Sequence, residues 1–260
     1  MIKRRIRFPV KLVISGLIIF STLFFLTGHL IKGLRTYDYF KIKEIITSKP
    51  QAGPDFSYLV GRNIFTLDLK KESRYISELH PVYLKIRLIR LLPDRLFVLL
   101  SQRQALAQLK LYRNFCVDGD LTVFEIPQEL AETDLPVIVG LEKKILAVNS
   151  GKQYNIKNLA LAVNIIKETR LNRGLEDYKI KRIDVTNPMN TSFFMQVPGN
   201  TIDQKITIVG PLEVKIGQYG IAEKVRILSD MLTQLGTDIA DIKYIDLKFR
   251  EPVIKFKDAK

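Results

Sequence analysis

Few side chains in this sequence could do chemistry. It contains two histidines, His29 and His80, and one cysteine, Cys116. His29 lies in a long apolar run, so His80 is the only imidazole left to act as a general base. The Leu79-His80-Pro81 context of that residue is typical of a helix end. We therefore predict no histidine-based catalysis, and a single cysteine excludes an intrachain disulfide.

Asp118 and Asp120, which flank Gly119, are the nearest approach to a cation site. A calcium loop needs further oxygen ligands that are missing here, so the spacing favours a hairpin turn. The sequence also lacks a phosphate-binding loop, H-E-x-x-H, G-x-S-x-G and a paired C-x-x-C. We predict no catalytic residue, cofactor or metal ligand, while carboxylates that meet only in the folded protein leave a hydrolase site open as an alternative.

The elements that position the remaining side chains begin with an apolar run at residues 10–31. Residues 12–27 carry no charge, and at ~1.5 Å per helical residue the run spans a ~30 Å hydrocarbon core. We predict a transmembrane helix there. The alternative, a cleavable signal peptide, needs a shorter apolar core and a small-residue cleavage site, whereas the first alanine here is Ala52.

The residues before this helix predict its orientation. They include no acidic residue, and basic clusters of this kind stay on the cytoplasmic side of a membrane. We therefore predict a cytoplasmic tail at residues 1–9 and the rest of the chain, beyond the helix, outside the cytoplasm. The basic residues are Lys3, Arg4, Arg5, Arg7 and Lys11.

The net charge of the 260-residue chain is +14, and hydrophobic residues make up 47 % of it. The composition is typical of folded protein, and the length allows about two domains. Without the five basic residues at the N-terminus, 36 basic and 27 acidic residues leave a net charge of +9. They are not gathered with aromatics, so we predict no nucleic-acid site. Anionic lipid, an acidic protein partner and a merely solvated surface are the alternatives.

Hydrophobic periodicity predicts an α+β module after the helix. It comprises a strand at 39–47, a short helical piece at 56–60, a helix from the N-cap Asp68 to Leu79, and a long hairpin at 82–100. In the hairpin, Leu84 begins the alternation and Pro93 lies in the turn. One face of the hairpin is expected to be buried under the helices.

A β-rich segment follows, with two helices that pack on it. We predict a hairpin within 106–124, helices at 158–171 and 221–235, and strands at 180–185, 192–197, 205–209, 212–216, 242–249 and 253–257, with a turn at Pro198-Gly199-Asn200. The last strand of an open sheet can leave unpaired N–H and C=O groups for a partner.

Six short motifs occur along the chain: Gly61-Arg62-Asn63-Ile64-Phe65 with Leu67-Asp68, His80-Pro81 before Arg90, Pro93, Leu96 and Val98, Val117-Asp118 with Val123-Phe124, Leu135-Pro136 with Gly140, Lys215-Ile216-Gly217, and Tyr244-Ile245-Asp246-Leu247-Lys248-Phe249. In order and spacing they resemble the bacterial cell-division family FtsQ, also called DivIB. Two positions depart from the family pattern: residues 102–107 read Q-R-Q-A-L-A, and Val82 replaces a frequent tryptophan.

The resemblance implies a transmembrane helix at 10–31, a POTRA domain at 38–107 and a β domain at 108–260. It implies a non-enzymatic scaffold of the division machinery at the septum, which binds the partner FtsB, together with FtsL, by strand addition at the C-terminal edge. Lys248 stands where the family has a cation that faces an acidic partner residue. The implied contact residues are Tyr244, Asp246, Lys248, Phe249, Val253, Ile254, Lys255 and Phe256.

Two other classes are alternatives to this interpretation. A POTRA-bearing secretion or outer-membrane assembly component would share the first module, but no array of lipid-facing ~10-residue strands follows it. An anchored cell-wall enzyme would need a catalytic site that the sequence does not show.

Overall fold

The apolar run is helical in the computed structural model and forms α1, Val10–Thr36. Its segment Ile14–Thr36 is a candidate membrane span by length and apolar composition, with no side chain buried by the protein. The Thr22 and Thr27 hydroxyls donate to carbonyls of the preceding turn, which satisfies them without water. The helix ends five residues later than the predicted Ile31, because nothing between Lys32 and Thr36 breaks it.

The structure describes residues 10–48, 53–126, 134–198, 201–202, 205–206 and 209–257. The chain divides into two compact units, Met1–Ser101 and Gln102–Lys260. Both contain helices and strands, so the predicted α+β class is confirmed. The predicted turn at 198–200 falls largely outside the described residues.

In the first unit, a three-stranded sheet packs against one helix. The helix α2, Leu69–Leu79, begins at the predicted N-cap, where the Asp68 carboxylate accepts from Lys70 N at 3.0 Å and Lys71 N at 3.1 Å. The predicted piece at 56–60 is a 3₁₀ turn, Ser57–Leu59. The sheet order is β1-β3-β2, with strands β1 Glu44–Thr47, β2 Tyr83–Leu91 and β3 Arg95–Gln102.

Two details of the first unit differ from the prediction. The strand predicted at 39–47 starts only at Glu44, because Asp38–Phe40 form a 3₁₀ turn. In β2, Leu84 is 58 % exposed instead of buried, because Tyr83 takes the core side and regular alternation begins at Ile86. The hairpin is otherwise as predicted.

The second unit is built on one ten-stranded mixed sheet, ordered β15-β14-β13-β10-β9-β7-β4-β5-β6-β8. The strands are β4 Ala107–Lys110, β5 Asn114–Val117, β6 Thr122–Glu125, β7 Val137–Val139, β8 Lys152–Gln153, β9 Lys179–Asp184, β10 Ser192–Val197, β13 Val209–Lys215, β14 Ile242–Asp246 and β15 Val253–Phe256. A separate pair, β11 Thr201–Ile202 with β12 Lys205–Ile206, covers part of the region predicted as a strand at 205–209.

Two helices, α3 Lys157–Leu171 and α4 Ile221–Leu235, pack on this sheet and on each other. The predicted bounds of α4 are confirmed, and α3 begins one residue earlier than predicted. The predicted stripe of α4 is buried at Ile221, Val225, Leu228 and Leu232. These side chains and the inward residues of β10, β13 and β14 form one core, which includes Phe193, Val214 and Ile245.

A buried ion pair supports the β5–β6 turn. The Asp118 carboxylate contacts the Arg103 guanidinium and also accepts from Asp120 N at 2.9 Å and Thr122 N at 2.8 Å. The side chains of Arg103 and Asp118 are 13 % and 8 % exposed. The guanidinium also lies 5.6 Å from the centre of the Phe124 ring. The D-G-D segment is therefore a hairpin turn, as predicted, with its first carboxylate bound by an arginine.

We expect Asp118→Ala to lower the free energy of unfolding by about 3–5 kcal/mol, because it removes the carboxylate that pairs with the buried Arg103 guanidinium and accepts two backbone hydrogen bonds of the turn. Asp120→Ala removes an exposed carboxylate from the same turn and should change it by less than ~0.5 kcal/mol. Urea unfolding of the full chain in detergent, followed by circular dichroism, measures both. Equal effects of the two substitutions would show that the ion pair contributes nothing.

Gly140 provides a second test of packing in this unit. Its φ is +89°, and an added Cβ would lie 2.4 Å from Thr186 N. Gly220 has a φ of +63° but open space around it. We expect Gly140→Ala to cost about 2–4 kcal/mol from backbone strain and overlap, and Gly220→Ala about 1 kcal/mol from strain alone. The same unfolding experiment compares them, and a cost for Gly140→Ala no greater than that for Gly220→Ala would contradict the close approach.

Candidate partner-binding edge of the large sheet

The C-terminal strands form one edge of the ten-stranded sheet. β14 is parallel to β13, with Glu213 opposite Tyr244, and β15 is antiparallel to β14, with Ile254 opposite Ile245. Within the described residues β15 pairs with β14 alone. One side of its backbone therefore faces no other described strand.

The free backbone groups can be assigned from one hydrogen bond. Lys257 N donates to Asp241 O at 2.8 Å, so the backbone N–H of Lys257, the residue after β15, points towards β14. Backbone N–H and C=O groups alternate in direction along an antiparallel strand, so those of Val253 and Lys255 also point towards β14. The N–H and C=O groups of Ile254 and Phe256 then point away from the sheet.

Opposed residues of neighbouring strands share a face, and this divides the site side chains into two sets. Tyr244 and Lys255 lie opposite each other on the face away from the core. Ile245 and Ile254 lie on the core face, where Ile245 is fully buried and Ile254 packs against the core cluster. The Lys215 ammonium lies 3.9 Å from the centre of the Tyr244 ring.

The strand predicted at 242–249 is shorter in the structure and ends at Asp246. The Asp246 carboxylate accepts from Lys248 N at 2.9 Å, and such an Asx turn takes the backbone out of the strand. Lys248 and Phe249 thus lie in the turn between β14 and β15. Asp246 is 7 % exposed, so its carboxylate supports this turn and is hidden from a partner.

Lys248 is held by several neighbours. Its Nζ donates to Asn190 Oδ1 at 3.2 Å and lies 3.7 Å from Asp246 Oδ2. Deeper in the same end of the sheet, Lys224 Nζ donates to Ile216 O at 2.8 Å. Burial lowers the pKa of Lys224, and the carboxylates of Asp246 and Glu223 partly oppose that shift.

The structure adds residues that sequence reasoning missed. The 3₁₀ turn Pro188–Asn190 lies beside the turn after β14, where Asn190 contacts Lys248. Met189 is 59 % exposed, and its sulfur contacts Gln218 Nε2 at 2.8 Å. The Asn187-Pro188 pair was a readable turn signal, but nothing in the sequence placed it near the C-terminus.

An exposed apolar strip follows the edge. Phe249 is 63 % exposed, Val253 47 % and Phe256 52 %. Phe249 is therefore not a core residue, which separates its side chain from the stability of the sheet. Phe249 lies in the turn before β15, and Val253 and Phe256 project from opposite faces of that strand. Exposed apolar side chains grouped around one strand in this way are typical of a protein interaction site.

Known proteins of similar sequence support one family. No family model matches the chain. It is 28 % identical over 228 residues to the cell division protein FtsQ of Syntrophotalea carbinolica, covering 85 % of this chain and 76 % of that protein. It is 23 % identical to FtsQ of Geotalea daltonii over 82 % of this chain and 73 % of that protein. FtsQ of a Geobacter species is 24 % identical over 75 % of this chain and 65 % of that protein.

Similarity to these three proteins supports the FtsQ family of cell division proteins for this chain. Together with the candidate span in α1, these relatives support a single-pass membrane protein of the division machinery. The structure also explains several motif residues of the FtsQ resemblance. Arg90 donates to Ile64 O at 2.7 Å and Leu67 O at 2.8 Å, which joins the hairpin to the loop before α2.

The second unit also has a cavity of about 290 Å³ between α3 and β9. In its wall, hydrogen bonds from Lys181 and Lys179 lower the pKa of Asp134 to about 2, which makes it a weak base. Across the described residues, no three His, Cys, Asp or Glu side chains are grouped to hold a metal ion. The strand edge therefore remains our candidate site, in preference to this cavity.

A carboxylate introduced at each of two neighbouring positions tests the local structure. We expect Phe249→Glu to change the free energy of unfolding by less than ~0.5 kcal/mol, because the ring is exposed. Lys248→Glu should cost ~1–2 kcal/mol, because it brings a second carboxylate towards the buried Asp246. Urea unfolding of the full chain in detergent measures both, and a large loss of stability in Phe249→Glu would mean that the ring packs in the core.

Proposed function

We propose that this protein is a non-enzymatic scaffold of the divisome that binds the extracytoplasmic segment of FtsB, together with FtsL, by strand addition beside β15. The observation that supports this most directly is the outer side of β15, which pairs with no other strand among the described residues. An added strand would satisfy the N–H and C=O groups of Ile254 and Phe256, as in other complexes formed by β-augmentation.

Apolar contacts would supply most of the affinity. The exposed side chains of Phe249, Val253 and Phe256 flank the free edge and can be covered by the partner. Large aromatic side chains of this kind dominate the energetics of many interfaces. Burial of one such ring is worth about 1.5–3 kcal/mol, which is roughly 10- to 100-fold in affinity.

Charge favours an acidic partner segment. Residues 242–257 contain five basic and two acidic side chains, a net charge of +3. The resemblance assigns the partner's carboxylate to Lys248, but the Lys248 side chain is only 26 % exposed and already contacts Asn190. Arg250 and Lys255 are exposed, and we propose them as the main cations, with Lys248 behind them.

The remaining features of the proposal follow from the sequence and the family. The basic residues before α1 favour a cytoplasmic N-terminus and extracytoplasmic units outside the membrane, at the septum. We propose that residues 38–107 form a POTRA domain that recruits other division proteins and that residues 108–260 form the β domain. The protein would thereby join early and late components of the machinery.

Strand addition can be tested with the full chain in nanodiscs, titrated with the extracytoplasmic segment of FtsB from the same organism. Phe256→Pro removes an N–H that points away from β14, and Phe249→Glu places a charge in the apolar strip. We expect each substitution to weaken binding at least tenfold, equivalent to ~1.4 kcal/mol.

Leu146→Glu is the matched control, because Leu146 is 81 % exposed and lies outside the edge. It should change the dissociation constant less than twofold. Circular dichroism checks that each variant is folded. Tight binding that survives both edge substitutions would rule out this edge, and binding that requires FtsL would assign recognition to the joint complex.

A further inference from the structure

The outer end of α1 carries a group of basic and aromatic side chains that the proposed function does not use. Lys32 and Arg35 are exposed on the last turns of the helix. Two tyrosines follow directly, Tyr37 with 66 % and Tyr39 with 62 % of its surface exposed. We call these four residues the collar.

The collar is attached firmly to the first unit. Asn63 Nδ2 donates to Leu34 O at 2.9 Å, which joins the helix end to the loop before α2. Tyr37 N donates to Gly33 O at 3.0 Å, and the Tyr37 ring lies against Gly33. Within the first unit, the end of α1 is therefore joined directly to the loop before α2.

The residues that directly follow the collar form backbone hydrogen bonds with the loop before α2. Ile64 N donates to Phe40 O, and Ile42 N donates to Arg62 O, both at 2.9 Å. The Phe40 ring also contacts Tyr39 and Phe65 edge-to-face, with 5.2 Å between ring centres in each pair. These contacts fix Tyr39 within about one helical turn of the end of α1.

The height of the collar follows from helix geometry. About 20 residues at ~1.5 Å each fill a ~30 Å hydrocarbon core, so residues 12–31 occupy it. The next ~5–7 Å on each side contain the lipid headgroups. Lys32 and Arg35 fall in that layer, and Tyr37 and Tyr39 lie at its outer boundary, where tyrosine is enriched in membrane proteins.

The charge of this segment suits an anionic surface. Residues 32–43 contain four basic side chains and one acidic side chain, a net charge of +3. Asp38 is neutralised by Lys41 at 2.8 Å, and Lys43 pairs with Asp94 at 3.0 Å. In the part of the chain that the structure describes, Lys32 and Arg35 form no salt bridge, so their charges are available to lipid phosphates.

We propose that the collar binds anionic phospholipid headgroups and seats the first unit on the outer surface of the membrane. The lysine and arginine contact phosphates, and the tyrosine rings enter the interface with their hydroxyls in water. An acidic division protein is the other partner with suitable charge, and the experiment distinguishes it because purified protein and lipid alone are used.

The chain contains no tryptophan, so one introduced tryptophan is a unique fluorescent reporter. Full-length Tyr39→Trp is reconstituted into vesicles of brominated phosphatidylcholine, with or without 30 mol % phosphatidylglycerol. We expect blue-shifted emission and at least twofold stronger quenching than in Tyr112→Trp, a reporter at a 59 %-exposed site in the second unit. Water-like emission of Tyr39→Trp in both lipids, or equal quenching of the two reporters, would overturn the proposal.

A second comparison tests the role of charge. In the Tyr39→Trp background, Lys32→Gln with Arg35→Gln should reduce quenching in anionic vesicles to the value in zwitterionic ones. Lys110→Gln with Arg113→Gln removes the same charge from exposed positions in the second unit and should leave quenching unchanged. Quenching that is independent of phosphatidylglycerol, or equal losses in both double variants, would show that the headgroup charge is not recognised.

Discussion

The parallel pairing of β13 with β14 is the constraint on which the C-terminal half of the structure depends. A parallel pair needs a crossover, and α4 provides it with a stripe that the core must bury. This crossover places β14 inside the sheet, with Ile245 against the helices. The following turn is short and returns β15 antiparallel at the outermost position. β15 therefore lies at the edge of the sheet because the α4 crossover, which covers the core, places β14 inside it.

The same arrangement separates stability from recognition. Ile245 and Asp246 are buried, and Asp246 holds the turn through the Lys248 amide. Phe249 and Phe256 expose more than half of their side chains to solvent. A surface built in this way can change its affinity without risk to the fold, since the inner strand maintains the geometry of the outer one. Residues of the same motif can thus serve two purposes: Ile245 and Asp246 maintain the fold, and Phe249 is available for contact with a partner.

Local patterns in the sequence were sufficient for most of the elements. The stripe of α4, the N-cap Asp68 and the Asp118 turn each depend on neighbours a few residues away, and each was predicted. The pairing of β9 with β7 and the position of Asn190 beside Lys248 depend on contacts between distant residues, and periodicity contains no information on them. The end of β14 was missed for a smaller reason: an Asx turn competed with apolar alternation that continues to Phe249.

An edge that stays open for one partner is also open to a second copy of itself, and β15 limits that hazard. The strand has four residues and follows Pro252, which cannot donate to a neighbouring strand. Lys255 and Lys257 would approach their counterparts if two such edges met, and like charges at that distance repel. A foreign segment with carboxylates at those positions meets no such penalty. The short, basic edge strand would therefore disfavour pairing with a second copy and accept the proposed acidic partner.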